Sequence, residues 1–243
     1  MIDANASNQL VVERLRGHAR RDLAAGDLLS AMQLAAEALK LAPLDPQACS
    51  LIDEISRVSE APLNLAPQVR GSSALALSAA RLRILFFLDR PAEALAYFCR
   101  VAPFAPTLAL FSVLGQALTP AFVTTVGLTG LRPLITSLTE YALPVSVPAE
   151  LDDPRLLNIG ITAATLTTIR AQYPDQRELY AAEVLVRRRL RDSEGTLAVA
   201  TLGVQRFPES WLCLTALAHA LGDANRPDEA AVYARRALES SSD

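Results

Sequence analysis

The chain has 243 residues, 51% of them apolar and 5% aromatic, with a formal net charge of −3. That length suits one large domain or an extended repeat array, and the near-neutral balance argues against nucleic acid or an acidic membrane as partner. Ala and Leu dominate, whereas β-branched residues concentrate mid-chain, so the composition excludes a strand-rich fold and points to an all-α protein.

The opening stretch, MIDANASNQLVVERLRGHARR, lacks a basic start followed by an apolar core, so no signal peptide is expected and the cytoplasm is the expected location. Residues 24–46, AAGDLLSAMQLAAEALKLAPLDP, put Ala31, Ala35 and Ala38 on one helical face and stop at Pro43. They read as the second helix of a closely packed pair. A helix over 47–58 follows, then EAPLNLAPQVRGSS, where Pro62, Pro67 and Gly71 mark a connector. That connector, 60–72, is expected to be non-helical and to let the N-terminal helices pivot.

Between Arg100 and Arg132 no residue is charged. Pro103, Pro106 and Pro120 divide this run, and Gln116, Thr119, Thr124 and Thr125 interrupt it, which argues against a membrane span. The expectation is a core helix followed by an apolar helix with one face left for another subunit, anchored by Phe111, Leu114, Phe122 and Val126. Next, YALPVSVPAELDDP (141–154) cannot be a continuous helix, and Asp152-Asp153 reads as a cap before Pro154. Residues 154–174 read as a helix with Leu157, Ile161, Ala164 and Ile169 on one side.

Internal periodicity is visible in RPAEALAYFCRVAPFAP (90–106) and RPDEAAVYARRALESS (226–241), which share Arg-Pro-x-Glu-Ala with Pro91 and Pro227 at a helix start. Thr196, Ala200 and Gly203 lie thirty-four residues before Ala230, Ala234 and Ala237. Ala31 and Ala230 are expected at helix contacts with no room for a larger side chain. The period resembles that of the tetratricopeptide repeats, as do Gly26-Asp27-Leu28, Ala31, Ala38-Leu39 and Pro43, then Ala94, Leu95, Phe98 and Pro106. Copies fall at 12–45, 75–108, 177–210 and 211–243. Leu15 and Leu214 depart from the family's aromatic position, and Ala19 and Ala218 hold its glycine or small position.

The resemblance implies a right-handed superhelix of helical hairpins with a degenerate central section. Its divisions would be 1–59, a connector 60–74, a block 75–176, and tandem repeats 177–243. It also implies that the first helix of each hairpin lines a concave groove for extended peptides. By register Arg16, Arg20, Arg83, Arg188 and His219 face that groove, a sparse basic lining suited to an acidic segment. Neither Lys nor Asn occupies these positions, so the carboxylate clamp of chaperone-tail-binding members is absent.

Catalytic constellations are missing. The two histidines, His18 and His219, lie near opposite ends, and no HExxH, Walker A or GxSxG pattern occurs. GLTG (127–130) has the spacing of an RNA-binding loop without a sheet or basic cluster around it. RRRLR (187–191) reads as a solvated face at a helix C-terminus, where cations are favoured. Cys49, Cys99 and Cys213 lie far apart among apolar neighbours, which predicts free buried thiols and no disulfide framework. No catalytic residue, metal or cofactor is expected. The expected function is a non-enzymatic interaction scaffold or adaptor that binds a protein or peptide in its groove and self-associates through the apolar segment. The alternative is an accessory or regulatory domain of an enzyme or of an envelope- or glycan-related assembly.

Overall fold

A computed structural model describes residues 4–67, 73–141 and 154–241, and all regular structure among them is helical. The chain forms two compact units, Met1–Ala117 and Leu118–Asp243. The first holds α1 (Ala4–Ala24), α2 (Leu28–Leu41), α3 (Pro46–Val58), the single turn α4 (Pro62–Leu65), α5 (Ser73–Phe87), α6 (Pro91–Val101) and α7 (Leu108–Ala117). The second holds α8 (Pro120–Thr136) with a following π turn (Ser137–Tyr141), then α9 (Pro154–Gln172), α10 (Arg177–Arg189), α11 (Ser193–Arg206), α12 (Trp211–Asp223) and α13 (Pro227–Ser240).

Four hairpins, α1/α2, α5/α6, α10/α11 and α12/α13, share one turn among the described residues. Each places a residue in the left-handed region: Gly26 at φ 83°, Asp89 at 53°, Arg191 at 58° and Asn225 at 58°. The next amide donates back to the carbonyl five residues earlier, as Asp27 to Asp22, Arg90 to Leu85, Asp192 to Arg187 and Arg226 to Leu221. This satisfies carbonyls that a helix end otherwise leaves open. Asp27 and Asp192 then cap the second helix through Ser30 N and Gly195 N. In the Arg-Pro-x-Glu copies the arginine instead forks onto the glutamate three residues on, Arg90 with Glu93 and Arg226 with Glu229. In unit 2 both helices of α10/α11 start thirty-four residues before those of α12/α13.

A second shared junction joins one hairpin to the next. Asp45 N donates to Ala42 O, Gln176 N to Tyr173 O, and Ser210 N to Phe207 O, at 3.0–3.2 Å. Helix α3 thus stands where a first helix stands, and α9 where a second helix stands. Thr162, Leu166 and Ile169 of α9 lie thirty-four residues before Thr196, Ala200 and Gly203 of α11, and all six are buried. The buried face of α9 is therefore not the expected one. Leu157 and Ala164 are exposed and Ile161 is half-buried; of the expected set only Ile169 is core.

Small residues act as foreseen where a neighbour exists. Ala31, Ala35 and Ala38 are fully buried, and a Cβ at Gly203 would stand 3.1 Å from Tyr180 Cβ. In the last helix the pattern loosens: Ala237 is buried, Ala230 half-buried and Ala234 exposed, because no described element packs on that side of α13.

The connector also differs from expectation. Pro62 begins a helical turn, Ala66 is fully buried, and Arg81 of α5 donates to the carbonyls of Leu63 and Ala66 at 3.1 and 3.0 Å. Helices α2 and α3 both pack on α5, so a pivot here would break the core of unit 1. Residues 68–72, with Gly71, lie outside the described residues, as do 142–153, with Asp152-Asp153.

The uncharged run splits into two environments. Helix α7 buries Phe111 and Leu114 completely, and Phe111 meets Phe98 edge-on at 5.3 Å. They are core, which corrects their expected role as interface anchors. Phe122 and Val126 in α8 are half-buried, and the exposed positions beside them are filled by Thr124 and Thr125, whose hydroxyls bond back to Pro120 O and Ala121 O. By length and composition Pro120–Glu140 is apolar enough to cross a membrane, with mean hydropathy 1.2. Gly127, at φ 73° and ψ 160°, bends it there. At 1.5 Å per residue the two pieces reach roughly 10 and 20 Å, short of the ~30 Å hydrocarbon core. Of GLTG, only Gly127 leaves the helical conformation, and no RNA-type loop forms.

Candidate functional site

The five groove residues do not form a basic surface. Arg16 of α1 pairs with Asp45 at the start of α3 at 2.6 Å. Arg83 of α5 forks onto Asp53 of α3 at 2.8 and 2.5 Å, and Asp53 with the guanidinium's own hydrogen bond raises the Arg83 pKa. Arg188 of α10 forks onto Asp223 of α12 at 2.5 and 3.1 Å. In all three the arginine and the acid come from neighbouring helices in first-helix positions, so each pair clasps two such helices together. Arg20 is exposed without an ion pair among the described residues, and His219 is exposed beside Arg188. The expected basic groove is therefore corrected: most of its positive charge is neutralised internally.

The clasp at Arg188 borders a trough of about 330 Å³ in unit 2. Helix α10 contributes Glu178, Ala181, Ala182, Val184, Leu185 and Arg188; helix α12 contributes Leu212, Thr215, Ala216 and His219. Each residue of the second set lies thirty-four positions after one of the first. Equivalent faces of two first helices thus meet to form the walls, and Thr139 and Glu140 of the π turn close one edge. The floor is apolar and the rim polar, as expected of a site that holds a side chain or a short segment. His219 Nδ1 lies 3.1 Å from an Arg188 guanidinium nitrogen, which places the imidazole beside the clasp.

Hydrogen bonding to Arg188 holds the Asp223 carboxyl below the ordinary aspartate value of 3.8. Because the folded pKa is depressed, the pair stabilises the fold above the unfolded pKa and ceases to do so as pH falls through the folded value. Asp223 is 43% exposed, so screening keeps the contribution small. Asp223→Asn should therefore melt slightly below wild type at neutral pH, with the two curves converging in acid. A gap that persists unchanged through the carboxylate range would contradict this assignment.

Sequence reasoning missed a second cluster. Glu183 is fully buried and takes Arg170 Nε at 2.6 Å, Arg187 Nε at 2.8 Å and the Thr167 hydroxyl at 2.7 Å. Arg187 extends to Asp192 at 2.6 Å, and Arg170 stacks on Tyr180 at 5.2 Å. The network ties α9, α10 and the α10/α11 turn together. Within the RRRLR run Arg187 points into this buried network, whereas Arg188 pairs with Asp223 in contact with solvent and Arg191 is exposed, so only part of the run is a solvated face. The only signal was Glu183 four residues before Arg187, a spacing shared by many exposed helix pairs.

The three cysteines are free thiols, but Cys99 is half-buried rather than buried as expected. Cys49 and Cys213 are buried and desolvation pushes both pKa values up, which suppresses the thiolate. No group of three or more His, Cys, Asp or Glu able to hold a metal occurs among the described residues. No family model matches the chain, and no curated protein matches it.

Proposed function

We propose that the chain is a non-enzymatic protein-interaction module, built as tetratricopeptide-like hairpins stacked superhelically within each unit, that holds a partner segment in the α10/α12 trough. The observation that carries this reading is the equivalence of the trough walls: eight lining residues are four pairs thirty-four positions apart. A repeat that presents the same face twice makes a continuous strip, the arrangement suited to an extended segment. A rigid stack also lowers the ordering cost of binding. The partner chemistry differs from that expected of a basic groove. With Arg188 clasped to Asp223, the trough favours small apolar side chains on its floor over an acidic anchor.

Leu185 is 39% exposed and Thr215 half-buried, so Leu185→Glu and Thr215→Arg alter the trough with little effect on the core. The double variant should keep the wild-type melting temperature while recovering on the order of tenfold less of the proteins captured by wild type. Equal recovery of the same partners by both proteins would remove the trough from the interaction.

A further inference from the structure

The end of α10, the head of α11 and the end of α12 border a second cavity in unit 2, of about 510 Å³. One wall carries Leu185, Arg188, Arg189 and Arg191, and another carries Ala220 and Asp223. Ser193 and Thr196 of the first turn of α11 complete it. Leu185 and Arg188 also border the trough, whereas Arg189, Arg191, Ser193 and Thr196 are no part of the trough lining. Three guanidiniums thus meet a single lining carboxylate among the described residues, and that carboxylate, Asp223, is already forked by Arg188. Asp192, beside Ser193, is held by Arg187 and the Gly195 amide, and Glu194 is exposed and outside the lining.

Thr196 sets this cavity apart from a patch of surface arginines. It is 2% exposed, and its hydroxyl has no hydrogen-bond partner among the described residues. A helical threonine can turn its hydroxyl onto the carbonyl four residues back. Thr124, Thr125, Thr162, Thr167 and Thr168 all do so here. Thr162 stands thirty-four residues before Thr196, at the equivalent point of α9. Thr196 gives the corresponding carbonyl, Asp192 O, its amide but not its hydroxyl. A buried hydroxyl left open costs free energy unless a further group pairs with it. We propose that this group is a phosphate monoester bound in the cavity. Such an ester carries a charge of about −1.5 to −2 at pH 7 and three acceptor oxygens. Its charge matches the two guanidiniums in excess of Asp223. Arg189 and Arg191 need not be unpaired for this, because each guanidinium presents several N–H donors in a fixed fork. The phosphate oxygens accept from Thr196 Oγ1, Ser193 Oγ and these forks, while the esterified group lies against Leu185 and Ala220. A carboxylate, with two oxygens and one charge, would leave part of that donor set unused.

The ester could be a free sugar phosphate or a phosphorylated serine of another protein. Titration calorimetry of the full chain at fixed ionic strength, with ribose 5-phosphate, a phosphoserine peptide and inorganic phosphate, separates these sources. At least one ester should bind with a submillimolar Kd, the tighter of the two naming the source. Inorganic phosphate should bind more weakly, since it leaves the Leu185 and Ala220 wall uncovered. Thr196→Val should weaken the tighter ester about tenfold, the effect of losing a hydrogen bond to a charged group. Without ligand the same variant should melt at or above wild type, because it removes a buried hydroxyl that has no partner. Arg191→Asn, which suits the left-handed backbone at φ 58°, should weaken the ester about tenfold as well. Neither substitution alters the trough lining, so partner capture there is a separate result. Absence of binding by both esters overturns the proposal, as does binding that survives both substitutions. Inorganic phosphate binding as tightly as the esters overturns the assignment to an ester. A Thr196→Val protein that melts well below wild type also overturns it, by showing that the fold already satisfies the hydroxyl.

Discussion

Glu183→Ala should lower stability by about 3–5 kcal/mol, the range for removing one member of a buried ion pair. The carboxylate is fully buried and holds two guanidiniums, Arg170 and Arg187, whose side chains are only 16% and 22% exposed. Deleting it leaves both cations near each other in a poorly hydrated site, while the Thr167 hydroxyl keeps Ala163 O as an acceptor at 3.0 Å. The loss comes chiefly from the stranded Arg170, since Arg187 keeps Asp192 at 2.6 Å. Glu183→Ala combined with Arg170→Met should therefore be less damaging than the sum of the two single changes, a coupling that a double-mutant cycle measures. Chemical denaturation with a cost below about 1 kcal/mol would show that the network is hydrated and weak.

Phe111→Ala should cost about 3–5 kcal/mol as well, by a different route. Phe111 is completely buried in α7 and meets Phe98 of α6 edge-on, so truncation removes apolar burial and the ring contact together and leaves a cavity. If Phe111→Ala leaves the melting temperature within a degree or two of wild type, the placement of α7 in the core of unit 1 is wrong.

The helices and their hairpins were legible because local chemistry dictates them. Proline at the first helical position, a capping aspartate, and Gly26 in the turn all act within a few residues of themselves. Asp89, Arg191 and Asn225 were not legible as turn residues, since a left-handed arginine looks in sequence like any other arginine. Helix α9 was misread for a related reason. Its period matches α11, but Leu166 and Ile169 stand where Ala200 and Gly203 stand, so a search for small residues passes over it. Phe111 and Leu114 were misplaced as interface anchors because absence of charge does not tell enclosure from exposure. Helix α7 is enclosed by its own unit, and α8 meets solvent partly through threonines whose hydroxyls are turned back onto the backbone.

The groove arginines show how far register carries an argument. It places Arg16, Arg83 and Arg188 on first helices correctly. It says nothing of Asp45, Asp53 and Asp223, which stand 29, 30 and 35 residues away and reach those arginines only once the helices stack.

Those three clasps have a kinetic consequence for a module that works as proposed above. Charges paired with one another cast little field into solvent, so an approaching segment is not drawn in from beyond a Debye length. Encounter should then proceed at the unsteered rate of about 10⁵–10⁶ M⁻¹s⁻¹, nearly indifferent to ionic strength. Discrimination between partners would have to reside in how long each one stays, through the fit of its side chains to the alanine floor of the α10/α12 trough.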